Sequence, residues 1–294
     1  MQTLQYHAPA TLDQAIKLLH EASGAKILAG GTDLLVQMKL GLKQPAAIVD
    51  IKNIPEVMAL NLSAHGLHLG AAVSGAVVSA HPEIKHVYPG FVEALDIIGS
   101  TQVQGRCSAG GNLCNASPAA DSVPALMVNR AVCNIVGPQG ARQIAVEDFN
   151  TGPGTHCLTS GEMLVSFDFP APALRSSDAY LRMIPRTEMD IAVAGAAVAL
   201  TLDDAGVCSA ARIAIGAVGP RALLVPDAAT ALIGSTLDDA ALTRAAAAAS
   251  AAASPISDKR GTAEYRRKVV GVLVRRAALI AKSRIEAHVF KPPL

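Results

Sequence analysis

The stretch Ile27-Leu28-Ala29-Gly30-Gly31-Thr32-Asp33-Leu34-Leu35 decides how this chain is read. A short apolar strand runs into paired glycines, followed by a Thr-Asp pair suited to capping a helix. A second stretch at 108–121, SAGGNLCNASPAAD, again sets a glycine pair ahead of polar capping residues. Glycine has no Cβ to forbid positive φ or to hold a ligand away from the backbone. Amides gathered in such a turn, beside a helix N-terminus, form a concavity for an anion. Two of them in one domain suit a diphosphate held from both sides. On the residues alone, each stretch also reads as a plain turn. Neither continues into the Gly-Lys-Ser/Thr of a P-loop, and neither has the G-x-G-x-x-G dinucleotide spacing.

Outward from these stretches, Thr11 and Gln14 make a capping-box pattern before an amphipathic helix that Gly24 closes. A strand at 26–29, the first glycine turn, a short helix through Met38 and a strand at 46–51 make residues 1–52 a β-α-β unit. The signals then repeat. A strand at 67–73 precedes a helical region that opens at Ser79-Ala80-His81-Pro82 and ends near Ile98-Gly99. The second glycine turn and a helix over 121–127 follow, then strands at 131–136, 143–146 and 163–169. Pro170-Ala171-Pro172-Ala173 is a linker. Beyond it, 192–202 and 208–218 flank Asp203-Asp204-Ala205-Gly206 as a hairpin. An alanine-rich helix at 238–253 stops at Ser254-Pro255. A long helix over 264–288 carries Val269, Val270, Leu273, Val274, Ala277 and Ile280 on one side. Its Arg266, Arg267, Arg275, Arg276 and Arg284 read as a solvated face, or alternatively as a subunit contact.

The 294 residues allow two or three small domains, and 51% hydrophobic with 17% charged residues describes a globular chain. Aromatics make up only 3%, so aliphatic residues and alanine must build the cores. A net charge of +1 without a basic block argues against nucleic acid. The start, MQTLQYHAPA, has neither basic nor apolar leader features, and the apolar run at 191–202 is too short for a membrane span. Cysteines 107, 114, 133, 157 and 208 form no C-x-x-C pair; an odd number suits reduced thiols and a cytoplasmic setting. Their spacing specifies no metal site.

The two stretches together resemble the FAD-binding signatures of the medium subunit of the xanthine dehydrogenase family of molybdenum hydroxylases, which includes the carbon monoxide dehydrogenase flavoprotein. The segments are AGGTDLLVQMK at 29–39 and GGNLCNASPAADSVPAL at 110–126. FNTGPG at 149–154, IPRTEMDIAVAGAAVAL at 184–200, RIAIGAVGPRAL at 212–223 and the region from 263 extend the similarity over essentially the whole chain. The resemblance implies an α+β fold: a two-lobed α/β FAD-binding domain of PCMH type at 1–172, with lobes at about 1–55 and 56–172. A C-terminal domain of antiparallel sheet plus helices would follow at 176–290.

It also implies a non-covalent FAD site. Ile27, Leu28, Ala29, Gly30, Gly31, Thr32, Asp33 and Leu34 would wrap the pyrophosphate and its surroundings, mostly through backbone amides, with the Thr32 hydroxyl a further donor. Ser108, Ala109, Gly110, Gly111 and Asn112 would form the opposite jaw. Asp121 matches the acid that hydrogen-bonds the adenosine ribose, although alone it reads equally as a helix cap. Ile98 and Leu164 match positions packing on the flavin or offering backbone contacts, and alone they read as core. Arg182 falls where some relatives place a lysine near the flavin, and it keeps the charge with different geometry. Asp190 reads as structural. No residue is expected to be catalytic or to ligate a metal. Molybdopterin and two [2Fe–2S] clusters would sit on partners, a large and a small subunit, in a dimer of heterotrimers that passes electrons through this chain to an external acceptor.

The sequence departs from the family in places. Cys107 stands where many relatives have glycine, at a cost of about 1 kcal/mol if that position takes positive φ. Thr32 replaces the histidine to which some distant flavin oxidases attach FAD covalently. Between Asp121 and Thr151 there is no cysteine-rich insert for a [4Fe–4S] cluster. Two further functions are weighed: a stand-alone FAD oxidoreductase, for which His81, His86 and His156 are lone histidines in turns, and a non-catalytic nucleotide-binding assembly subunit.

Overall fold

The computed structural model describes residues 4–289. Met1, Gln2 and Thr3, which begin the segment without leader features and the expected FAD domain, lie outside the described residues. So does residue 290, the expected end of the second domain.

The first lobe comprises β1 (Gln5–His7), α1 (Leu12–Glu21), β2 (Lys26–Leu28), α2 (Leu34–Lys39) and β3 (Ala47–Asp50). Its three strands pair in parallel in the order β1-β3-β2, as the β-α-β pattern predicts. Thr11 Oγ1 accepts from the Gln14 amide at 3.3 Å, and Gln14 Oε1 accepts from Ala10, one residue before the usual box partner. Gly24 takes φ +80° three residues past the helix end. Helix α2 buries none of its residues, and a Gln37–Asn115 hydrogen bond helps hold it in place.

The second lobe begins with β4 (Leu60–Ser63) and β5 (Gly66–Gly70), followed by α3 (Gly75–Ser79), α4 (Pro82–Val87), α5 (Pro89–Asp96), α6 (Thr101–Gln104), α7 (Ala109–Asn115) and α8 (Ser122–Val128). It ends with β6 (Val132–Gly137), β7 (Gly140–Ala145), a small hairpin of β8 (Asn150–Gly152) and β9 (Thr155–His156), and β10 (Met163–Pro170). The sheet is antiparallel in the order β4-β5-β10-β6-β7. Leu67, Leu69, Cys133, Ile135, Phe167 and Phe169 face the helices, where Phe91, Leu95 and Leu126 complete the core. Each such side chain contributes roughly 1.5–3 kcal/mol by leaving water.

Two expectations change here. The helical region starts at Gly75, capped by Ser74 Oγ, so Ser79 ends α3 and His81-Pro82 opens only the second helix, α4. The second glycine pair lies in the first turn of α7, not in a turn ahead of a later helix.

The C-terminal unit holds β11 (Ser176–Met183), β12 (Ala194–Leu202), β13 (Cys208–Gly216), β14 (Leu223–Leu224), α9 (Pro226–Leu232), α10 (Asp239–Ala252) and α11 (Ala263–Val289), with the four strands antiparallel in chain order. Small residues let α10 lie close on α11: a Cβ at Gly271 would stand 2.8 Å from Ala246 O. The arginines of α11 are not all a solvated face. Arg266 is 4% exposed and donates to Val193 O, Ala217 O and Asp258. Arg284 reaches Glu93 and the Asp178 carbonyl. The buried Asp178 carboxylate accepts from the amides of Gly90 (2.9 Å) and Phe91 (3.1 Å) and from Asn129 (2.7 Å). β11 thus caps α5 from the other unit, and the two units meet through fixed polar bonds.

Candidate FAD-binding site

The first jaw leaves β2 at Leu28, whose carbonyl accepts from the Ile51 amide at 3.2 Å. Ile27 and Leu28 are half-buried in the strand, Ala29 to Asp33 form the loop, and Leu34 opens α2. The two glycines have different tasks. Gly31 takes φ +74° and supplies the left-handed turn. Gly30 supplies space: an added Cβ would stand 1.9 Å from Arg106 O and 3.0 Å from Cys107 N, so the two jaws touch backbone to backbone here. Among the described residues, the amides of Gly30, Gly31, Thr32 and Asp33 donate to no backbone acceptor. Unsatisfied donors in a row are costly unless water or a ligand meets them. Asp33 stands at the N-cap position without capping α2, contrary to the Thr-Asp expectation. Burial raises its pKa.

In the second jaw, Ser108 caps α7, its Oγ accepting from Gly111 N at 3.0 Å. Neither Gly110 nor Gly111 has positive φ. A Cβ at Gly110 would stand 2.4 Å from Ala71 O, so this glycine serves packing against the end of β5. Gly111 is less confined: its added Cβ would meet only Ser108 Oγ, tightly at 3.2 Å. Ala109 is buried, and Asn112 turns its Oδ1 to Ser122, accepting from the amide (3.2 Å) and the hydroxyl (2.7 Å). Cys107 also lacks positive φ, so the condition for a strain cost from cysteine in place of glycine is not met. Its amide donates to Val103 O and its carbonyl accepts from Gly75 N, each at 2.8 Å. Burial, reinforced by the Asp33 carboxylate, pushes its thiol up to about 11. Gln37 Nε2 donates to Asn115 Oδ1 at 3.0 Å and ties α2 to α7.

The structure brings Asp121 and Arg182 together. Arg182 Nη1 donates to Asp121 Oδ2 at 2.7 Å with the two side chains 6% and 9% exposed, and Tyr180 Oη donates to Oδ1 at 2.9 Å. Asp121 makes no capping bond to α8, so the simple cap is ruled out. Burial raises its pKa, against the lowering pull of Arg182 and Tyr180. Each carboxylate oxygen still has acceptor capacity for a diol. Ile98 is half-buried with its amide on Leu95 O at 3.2 Å, and Leu164 is 3% exposed in the core at a bulge in β10. Asp190 pairs with Arg260 and Arg186, in keeping with a structural role. Of the lone histidines, His81 caps α4 and His156 packs against Phe149. Among the described residues no cluster of side chains could hold a metal ion.

Sequence patterns missed Lys52, Tyr180, Ser74 and the Gln37–Asn115 bridge. Lys52 Nζ donates to Ala29 O at 2.9 Å and to Asp50 Oδ1 at 2.7 Å, directly behind the first jaw. Only the Ser74-Gly75 pair carried a local signal, as a cap.

Comparison with known proteins gives the family. Residues 2–172 match the model of the FAD binding domain in molybdopterin dehydrogenase, and residues 179–281 match the CO dehydrogenase flavoprotein C-terminal domain. The carbon monoxide dehydrogenase medium chain of Afipia carboxidovorans is 34% identical over 96% of this chain and 98% of its own length. A putative xanthine dehydrogenase FAD-binding subunit of Escherichia coli K12 is 31% identical over 92% and 93%. The solved chain of reconstituted CO dehydrogenase from Oligotropha carboxidovorans superposes with a TM-score of 0.92 at 32% identity, covering 96% of this chain and 98% of that one. With both domain models matched and that fold along nearly its whole length, this chain belongs to the FAD-binding medium subunits of the carbon monoxide and xanthine dehydrogenases, oxidoreductases of the molybdenum hydroxylase family.

Proposed function

We propose that this chain holds FAD non-covalently between its two jaws and is the electron-transfer subunit of a three-component dehydrogenase. The observation that carries this is the run of amides at Gly30 to Asp33 without acceptors among the described residues, in a loop whose Gly30 lies against the Arg106–Cys107 backbone that leads into α7. Such donors suit a diphosphate better than any neutral ligand. Gly30, Gly31, Thr32 and Asp33 would hold one side of it, with Ile27, Leu28, Ala29 and Leu34 shaping the strand-to-helix turn. Ser108, Ala109, Gly110, Gly111 and Asn112 would hold the other. Asp121 would accept from the ribose; Arg182, bonded to Asp121 at 2.7 Å, would stand at that same end of the cofactor instead of beside the flavin, and Ile98 and Leu164 would contribute apolar surface or backbone contacts.

When bound, FAD supplies transfer of hydride or single electrons; the chain's share is to bind, orient and tune it. A large molybdopterin subunit would oxidise the substrate, and a small subunit with two [2Fe–2S] clusters would lie between, in a dimer of heterotrimers in the cytoplasm. An external acceptor would complete the path. Among the described residues no helix is long and apolar enough to cross a membrane.

The test is reconstitution. FAD-free chain incubated with FAD and passed through gel filtration should emerge yellow at one FAD per chain, and acid should release the cofactor intact. Chain that emerges colourless contradicts the proposal. Turnover of a small organic substrate by the isolated chain would favour the stand-alone enzyme instead.

A further inference from the structure

We infer that Lys52 is a positioning residue of the cofactor grip: by holding the Ala29 carbonyl it turns the Gly30 amide toward the diphosphate. This rests on the FAD assignment above and concerns a residue outside both glycine stretches. Lys52 follows β3, and its Nζ donates to Ala29 O at 2.9 Å, across from the loop that begins the first jaw. A trans peptide is planar, and its C=O and N–H point in opposite directions. An ammonium bound to the Ala29 oxygen therefore fixes the side on which the Gly30 N–H emerges, and that N–H has no acceptor among the described residues. A flexible glycine pair would otherwise sample several peptide orientations, and binding would have to freeze one.

Lys52 is itself held. Asp50 Oδ1 accepts from its Nζ at 2.7 Å and from its amide at 3.1 Å, while Tyr6 Oη donates to Asp50 Oδ2 at 2.7 Å. The Lys52 side chain is 31% exposed and that of Asp50 is 14% exposed, so solvent screens the pair only in part. Because Asp50 neutralises the ammonium, its main effect on the diphosphate is orientation of the peptide and not long-range attraction. Charge-assisted hydrogen bonds of this kind are the strong ones.

The experiment measures FAD dissociation constants of FAD-free wild type, Lys52→Met and Lys52→Arg by flavin fluorescence, with melting temperatures recorded without FAD. The expected result is a Kd about tenfold higher for Lys52→Met, the size of one lost charge-assisted bond. Lys52→Arg, which keeps a charged donor, should bind within about twofold of wild type. If Lys52→Met does not fold, Lys52→Gln replaces it with the same expected direction. A Met variant that binds FAD like wild type overturns the inference, as does an Arg variant as weak as the Met one. Wild type that binds no FAD at all would instead remove the cofactor assignment itself.

Discussion

Replacing Arg182 by Met leaves Asp121 as a buried carboxylate with Tyr180 as its remaining strong donor. Both partners of the pair are almost sealed from solvent, 6% and 9% exposed, so screening does little to soften the loss. Breaking a buried pair by removing one partner costs about 3–5 kcal/mol. At about 2–4 °C per kcal/mol for a domain somewhat smaller than this chain, the melting temperature should fall by roughly 6–20 °C. The loss should depend on pH in a defined direction. Burial already holds the Asp121 pKa above its ordinary value, and Arg182 is the largest influence lowering it. Without Arg182 the folded pKa climbs further. An acid whose folded pKa exceeds the unfolded one stabilises the fold below the unfolded value and loses that contribution as pH rises through the folded value. The deficit of Arg182→Met against wild type should therefore be larger at pH 8 than at pH 5, read by calorimetry at both. Asp121→Asn combined with Arg182→Met should recover part of the loss. Equal deficits at the two pH values, or a loss below about 1 kcal/mol, the range of an exposed pair, would refute a buried, ionised joint between the units.

Three further outcomes follow from single contacts. Gly30→Ala forces a Cβ to within 1.9 Å of Arg106 O and should lower stability by about 1–3 kcal/mol or more while weakening FAD binding. Gly41→Ala, with φ +73° but open space around it, should cost only about 1–2 kcal/mol and leave binding unchanged in the same urea and fluorescence assays. Burial pushes the thiols of Cys107 and Cys208 up to about 11 and of Cys114 up to about 12, and raises Cys133 as well. A thiol reagent at pH 8 should find these silent in the native chain and reactive in urea. Glu162 accepts from Arg142 through both oxygens and from the Thr159 amide, which lowers its pKa to about 2. Its contribution is present above the ordinary value of 4.5 and lost as pH falls toward about 2. Glu162→Gln should thus show a lower urea midpoint than wild type at pH 7, a gap that narrows on acidification.

The order of the lobes and most of their strands was legible because short apolar runs between glycine–proline punctuation mark them, as at 46–51 and 163–169; the short strands β1 and β4 and the strand β11 were not read. The hairpin at Asp203 to Gly206 was legible for the same reason. What was hidden depends on contacts distant in sequence. The glycines at 30 and 110 were read as ligand-facing turns, yet each is required by a neighbouring backbone, Arg106 in one case and Ala71 in the other. No local pattern reveals such a close approach. Likewise Arg266 looked like part of a charged helix face, and only the fold shows it feeding the carbonyls of Val193 and Ala217. The partnership of Asp121 with Tyr180 and Arg182 spans two units, so propensity could assign Asp121 nothing better than a cap. Cys107 would be strained only if its position took positive φ, and it does not, so glycine is not forced there by backbone conformation in this chain.

The most direct measurement is the FAD affinity of Gly111→Asp against wild type. An added Cβ at 111 has one tight neighbour, the rotatable Ser108 Oγ at 3.2 Å, so the variant's fold is checked by its melting temperature, while its carboxylate would stand where the diphosphate is expected. Main-chain grip by two jaws predicts one FAD bound per wild-type chain and a loss of at least about a hundredfold in the variant, by steric overlap and like-charge repulsion. A folded Gly111→Asp chain that takes up FAD with wild-type affinity would show that the phosphates lie elsewhere.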